Sequence, residues 1–159
     1  AMHVLPEDVH LVVAGRWSPR YRPRFLSALG TAAGRVHEVG FVPDEERPRY
    51  YSMADVYVSP SLLEGLGITP IESLACGTPA VVTSASSGPE EVGDAGMVVP
   101  PCDPRALARA IRCLLDDDGL RWRLGRRGRD RVLRAFSYRR MAERTIETYR
   151  RSLRERNRT

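Results

Sequence analysis

Lysine is absent. All 25 cationic residues of this 159-residue chain are arginine, a bias that reflects composition more than mechanism. Cysteine is scarce: Cys76, Cys102 and Cys113 are an odd number without C-x-x-C spacing. That excludes a disulfide framework and a cysteine metal site, suits a reducing cytoplasm, and leaves each thiol to be expected as a small buried core residue. No apolar run reaches the roughly 18 to 20 residues needed to span a bilayer. No secretory leader is visible, and no internal repeat or low-complexity linker interrupts the chain.

What remains is one ordinary domain's length of chain, 42% hydrophobic, enough for a sizeable core. Fifteen arginines crowd between Arg121 and Arg158. Asp130, Glu143, Glu147 and Glu155 interleave with them at helical spacing, as on a salt-bridged, solvated helix face. With no reader motif and no aromatic stacking set, nucleic acid is not an expected partner. A weak contact with an anionic membrane surface suits the basic segment better.

Strands and helices alternate along the sequence. His10-Leu11-Val12-Val13-Ala14 is a short apolar run ended by Gly15, and Val36 to Val42 is a second strand. A helix lies around Phe25 to Gly30, and another starts at Pro43-Asp44-Glu45-Glu46 with acidic residues in its first turn. Ala54 to Ser59, Thr78 to Thr83 and Ala95 to Pro100 are further strands. Asp103 is placed to N-cap a helix with Pro104 at its first position, with Leu107, Ile111, Leu114 and Leu115 as its apolar stripe. Two more helices are expected, over Leu120 to Ala135 and Tyr138 to Arg154. The pattern predicts a single α/β domain, a Rossmann-like parallel sheet with helices on both faces.

The chemistry concentrates in one stretch: Glu64-Gly65-Leu66-Gly67-Ile68-Thr69-Pro70-Ile71-Glu72. It leaves a strand and enters a helix of about Pro70 to Cys76 closed by Gly77, the place where doubly wound sheets bind ligands. Gly65 and Gly67 permit positive φ and close backbone approach, and the helix N-terminus offers unpaired N–H donors. Neither Walker A nor G-x-G-x-x-G is present. Carboxylates do not bind phosphate; they accept from hydroxyls, so sugar or ribose diols are their natural partners. A ligand-free explanation exists too. Thr69-Pro70-Ile71-Glu72 reads as a capping box, and Glu64 as an exposed loop carboxylate.

Glu64 and Glu72 with the continuation Ser73-Leu74-Ala75-Cys76-Gly77-Thr78-Pro79-Ala80-Val81-Val82 resemble the E-x7-E region of retaining GT-B glycosyltransferases, in particular the family-four group that uses nucleotide-sugar donors. Gly40-Phe41-Val42-Pro43 and Ala54 to Ser61 resemble that group's preceding strands, while Pro89-Glu90-Glu91-Val92-Gly93-Asp94 and Asp103-Pro104 resemble its following ones. The resemblance runs from about Val9 to Leu153.

The resemblance implies roles. Glu64 would hold the hydroxyls of the transferred sugar near its reacting carbon, as the catalytic carboxylate, and Glu72 the donor's ribose. Backbone N–H groups of Leu66, Gly67 and Ile68, with the helix starting at Thr69, would cradle the diphosphate. Phe41 and Val42 would border the nucleobase. No metal and no cofactor are implied, since backbone dipoles and cations stabilise the leaving diphosphate, and retention would pass through an oxocarbenium-like transition state.

In such proteins a first strand and loop carry an Arg and a Lys that grip the diphosphate. The resemblance here starts at the second strand, so the first is expected to be missing. Arg16 imitates the missing arginine, although its spacing to Gly40-Phe41 fits the second strand. Residues 1–8 are read as a linker start, 9–136 as the donor domain, and 137–159 as a basic helix crossing back to an absent N-terminal acceptor domain. A peripheral cytoplasmic location and an inactive isolated domain follow. The alternatives are a non-catalytic nucleotide- or sugar-binding module and a GT-B-fold sugar-nucleotide epimerase.

Overall fold

The computed structural model describes residues 1–85 and 87–156. The strands are β1 (Leu11–Ala14), β2 (Val36–Gly40), β3 (Tyr57–Ser59), β4 (Ala80–Thr83) and β5 (Gly96–Val99). The α-helices are α1 (Arg22–Leu29), α2 (Arg47–Met53), α3 (Ile68–Ala75), α4 (Gly88–Val92), α5 (Pro104–Leu115), α6 (Asp118–Ala135) and α7 (Tyr138–Arg156). Among the described residues every strand pairing is parallel, as the alternation predicts. The ladder is not continuous: β1 pairs with β2, and β3, β4 and β5 form a second group in that order.

β4 is the centre of the larger group, and its four residues Ala80, Val81, Val82 and Thr83 are all buried. Successive side chains on a strand point to opposite faces, so β4 feeds two cores. Val81 joins Val99 and the α5 residues Ala106, Ile111 and Leu114. Ala80 and Val82 join Leu74 of α3, Val92 of α4 and, at the margin, Val132 of α6. Helices on both faces are therefore a direct reading of one buried tetrapeptide.

Local chemistry sets the helix ends. Asp103 accepts from the N–H groups of Arg105 and Ala106 at 3.0 and 2.8 Å, with Pro104 as the first helical residue, as expected. α3 ends on Gly77 at φ 85, with Gly77 N–H donating to Leu74 and Thr78 N–H to Ser73, the paired bonds of a Schellman stop. Gly125 and Gly128 let α6 settle onto this corner: a Cβ on Gly125 would lie 2.0 Å from the Gly77 carbonyl oxygen, and one on Gly128 2.6 Å from Leu74 Cδ2.

Several expectations are corrected. The acidic run Asp44–Glu46 precedes α2 in a turn instead of forming its first turn, because the helix starts at Arg47 with Pro48 behind it. α4 was not expected; Gly88-Pro89 resembles a turn, yet Pro is well suited to a first helical turn. Leu107 and Leu115 are only half-buried, and small Ala106, Ala108 and Ala110 fill much of the α5 face instead. The thiols are not core residues: Cys102 and Cys113 are exposed and Cys76 is half-buried, on the outer sides of their helices and loop. In α7 no residue is buried, and Met141, Ile146 and Tyr149 stand exposed among arginines. The expected helix over 137–159 is observed to Arg156; residues 157–159 lie outside the described residues.

Candidate functional site

The turn that follows β3 and the loop that follows β4 lie side by side, because the two strands are parallel neighbours in register, Tyr57 opposite Ala80 and Ser59 opposite Val82. Thr83, at the end of β4, donates its hydroxyl to the carbonyl of Ser61 and ties the two loops together. Glu64 and Gly67 belong to the first loop, and Ser87 and Glu91 follow the second.

Helix α3 begins one residue before the expected cap. Gly67 is the N-cap residue, and no side chain caps the helix. Thr69 therefore sits inside the first turn, its hydroxyl accepting a 2.8 Å bond from Tyr57. The capping box is overturned: Glu72 does not turn back to the helix start but points toward α2. Arg47 Nη1 lies 3.1 Å from Glu72 Oε1 and 3.2 Å from Oε2, and the Tyr51 hydroxyl donates to Oε2 at 2.8 Å. A carboxylate has about four acceptor positions, so Glu72 keeps capacity for a ligand hydroxyl. The first-turn amides of Ile68 and Thr69 lack intrahelical acceptors, and Pro70 has no N–H to compete.

Gly67 serves space, and neither turn glycine uses left-handed backbone. The positive-φ glycines are Gly15, Gly30, Gly40, Gly77 and Gly93, so Gly65 and Gly67 do not use that freedom. Around Gly65 a Cβ would meet open space. At Gly67 it would lie 2.6 and 2.8 Å from the two oxygens of Glu91 and 3.0 Å from Glu64 Oε2. Two carboxylates crowd against the same glycine. The Gly67 N–H is also taken, donating to Glu91 Oε1, so the expected Leu66–Gly67–Ile68 cradle loses its middle donor in this conformation.

Glu64 is half-buried, and among the described residues no hydrogen bond or ion pair holds it. Leu63, Leu66 and Ile68 of the same turn are exposed apolar side chains. Tyr57 reports how the acids converge. Burial pushes its hydroxyl up from the ordinary tyrosine value, and the charges of Glu64, Glu72 and Glu91 push it further, against the bond to Thr69. Tyr51 is likewise pushed up, first by burial and then by its bond to Glu72.

The remaining expected residues stand at the ends of β1 and β2, where Gly15 N–H donates to the Gly40 carbonyl at 2.6 Å. Phe41 is 61% exposed, and the Arg16 guanidinium lies 4.9 Å from its ring centre. Arg16 thus stands at a strand's carboxyl end but is occupied with an aromatic face. Val42 is 8% exposed, so its side chain faces the core and only its backbone could border a base. Two surface clefts elsewhere are lined by Val4, Arg105 and Arg109, and by Asp55, Cys76 and Trp122; neither includes Glu64 or Gly67. The glycine turn is an open shelf. Among the described residues no cluster of three or more His, Cys, Asp or Glu could hold a metal ion.

Sequence reasoning did not find Arg47, Tyr51, Tyr57 or Glu91. Nothing in local spacing marks the first three, whose roles arise from β3 and α2 packing against α3. Glu91 had one signal, a carboxylate following Gly-Pro at the end of a buried strand, but its neighbour Glu90 is identical in type and exposed.

Comparison with known proteins bears on the family and fold of the chain. The model of the family described as glycosyl transferases group 1 matches residues 1–131. The chain is 33% identical over 152 residues to the GDP-mannose-dependent alpha-(1-6)-phosphatidylinositol monomannoside mannosyltransferase of Mycolicibacterium smegmatis, covering 90% of this chain and 40% of that protein. Among solved structures it is similar to sucrose-phosphate synthase from Thermosynechococcus elongatus, with TM-score 0.81 and 33% identity over 92% of this chain and 39% of that one. It is also similar to the C-terminal domain of a glycosyl transferase group 1 family protein from Francisella tularensis, with TM-score 0.71 and 27% identity over 81% and 70% of the two chains. The chain spans about a third of the length of the curated relatives it matches.

Proposed function

The chain belongs to the glycosyl transferases group 1 family, as a C-terminal domain of the GT-B fold, and on that footing we propose that it holds the nucleotide-sugar donor of a retaining, metal-independent glycosyltransferase. One observation carries the reading: Glu64 and Glu72 flank an uncapped helix N-terminus at the carboxyl ends of parallel strands. A nucleotide sugar presents the same sequence of needs, hydroxyls at both ends and an anion between them. The GDP-mannose dependence by which the mycobacterial relative is named supports the substrate class.

In this reading Glu72, already oriented by Arg47 and Tyr51, accepts from the ribose hydroxyls. Glu64, left without a protein partner among the described residues, accepts from the transferred sugar. The amides of Ile68 and Thr69 and the dipole of α3 face the diphosphate, with Leu66 and Gly65 shaping the approach. Charge developing on the departing diphosphate is met by fixed dipoles at no reorganisation cost, which is why neither metal nor cofactor is proposed. Phe41, with the Arg16 guanidinium over its exposed face, borders the base together with the Val42 backbone.

Attack by an acceptor on the leaving-group face needs a second surface above this open shelf. We assign that surface to an N-terminal acceptor domain, with residues 137–159 as the connecting segment. No helix among the described residues is long and apolar enough to cross a membrane. The exposed apolar side chains of α7 among its arginines favour a peripheral, cytoplasmic contact with anionic lipid.

The test is a calorimetric panel of UDP-, GDP- and ADP-sugars against the chain and its Glu64→Ala and Glu72→Ala variants. Binding of one donor series that weakens in both variants is expected. Equal binding by wild type and both variants would remove the carboxylates from the site.

A further inference from the structure

Glu91 is the anomaly of this molecule. It is 0% exposed, on a five-residue helix, with no cation paired to it among the described residues. Oε1 accepts from Gly67 N–H and, at 2.5 Å, from the Ser87 hydroxyl. Oε2 is buried without a hydrogen-bond partner among the described residues. Burying a half-satisfied carboxylate is costly, so a fold indifferent to it is better served by a leucine or glutamine.

What the carboxylate does is visible in its contacts. It reaches from α4 into the loop of the adjacent strand and takes the amide of the residue that caps α3. Its oxygens fill the space that a Cβ on Gly67 would occupy, beside Glu64 Oε2. α4 itself is pinned from behind: Arg131 of α6 donates Nε to the Glu91 carbonyl at 2.9 Å and Nη2 to the Glu90 carbonyl at 2.5 Å. The line Arg131, Glu91, Gly67 thus runs from the rigid helical layer to the tip of the turn.

We propose that Glu91 is a positioning residue for the donor site: it anchors the Gly67 cap of α3 beside Glu64 and keeps the Gly67 amide occupied and away from the diphosphate. This deepens the donor-binding reading and rests on it. Glu91 touches no part of the donor. The phosphate-facing amides are then Ile68 and Thr69, while Gly67 serves as a fixed post.

The experiment compares Glu91→Gln, Glu91→Leu, Gly67→Ala and the double variant Gly67→Ala/Glu91→Ala, using ¹⁵N NMR of the Gly67 amide, thermal melting, and titration with UDP, GDP and ADP. In wild type and Glu91→Gln, whose amide oxygen still accepts, the Gly67 (¹H) shift lies downfield and the binding constants agree within about threefold. In Glu91→Leu the shift moves upfield and nucleotide binding weakens by about tenfold or more. Gly67→Ala weakens binding, and the double variant, which relieves the crowding but lacks the anchor, stays weak.

A folded Glu91→Leu that binds like wild type overturns the proposal. So does a Glu91→Gln that loses binding as Glu91→Leu does, since that marks the charge itself as a ligand contact. Should Glu91→Leu fail to fold, Gly67→Ala and its double variant decide: recovery to wild-type binding in the double variant, which has no anchor, rejects the proposal. Should wild type bind no nucleotide, the donor reading falls, and the Gly67 shift in the variants still decides whether Glu91 anchors the turn.

Discussion

Arg47 grips Glu72 by both carboxylate oxygens, at 3.1 and 3.2 Å, joining α2 to α3 across the back of the glycine turn. The pair is partly shielded, with side-chain exposures of 35% and 28%, and Tyr51 completes it. This arrangement orients a carboxylate that would otherwise be a mobile side chain on a helix.

Removing one partner should show that orientation matters more than charge. Arg47→Ala is expected to destabilise the chain by about 1–2 kcal/mol, below the full value of a buried pair because water reaches both groups. It should also weaken nucleotide binding although Arg47 faces away from the donor. Melting curves and calorimetry on Arg47→Ala, Glu72→Ala and the double variant give the coupling. Additive effects on stability contradict the pairing.

Alkaline pH should unlock the same corner. Tyr51 and Tyr57 both have folded-state values raised above the ordinary tyrosine range, by burial first. A raised folded value means that the native state keeps its proton more tightly than the unfolded chain. The stability is then complete below about pH 10 and is lost as pH rises beyond it. Melting temperature followed from pH 8 to 11 should fall at the alkaline end, and the fall should be shallower in Tyr51→Phe. An unchanged slope in that variant counts against the assignment.

The glycines divide by role. Gly65→Ala meets open space at ordinary φ and should change stability by no more than about 0.5 kcal/mol. Gly125→Ala drives a methyl into the Gly77 carbonyl 2.0 Å away and should cost about 1–3 kcal/mol or more. Denaturant titration of both variants checks the ranking. A tolerant Gly125→Ala contradicts the close contact of α6 with the end of α3.

Chelation tests the metal-free proposal. In the proposed full-length transferase, EDTA should leave sugar transfer intact, because the diphosphate is assigned to the α3 amides. Complete loss, restored by a divalent ion, rejects that assignment.

Much of the fold was legible because its signals are local. The buried strand β4 announces itself as Ala80-Val81-Val82, and Asp103-Pro104 and Gly77 mark helix ends by capping chemistry alone. The turn drew attention for a similar reason, since carboxylates and glycines at a helix start have few structural uses, and its place at the start of α3 is what the structure shows. The capping box misled because Thr69 and Glu72 have the right spacing, and spacing does not reveal that the helix begins at Ile68. The purpose of Gly67 was hidden because the crowding comes from Glu91, 24 residues away in sequence. Long-range contacts of this kind have no local signature.

The most direct measurement is a ¹⁵N NMR titration of the chain with UDP, GDP and ADP, read at Gly65, Ile68, Thr69 and Glu72. The account predicts that at least one nucleoside diphosphate shifts these four amides together while α7 signals stay in place. No shift at these residues with any of the three at millimolar concentration would contradict a donor site on the glycine turn.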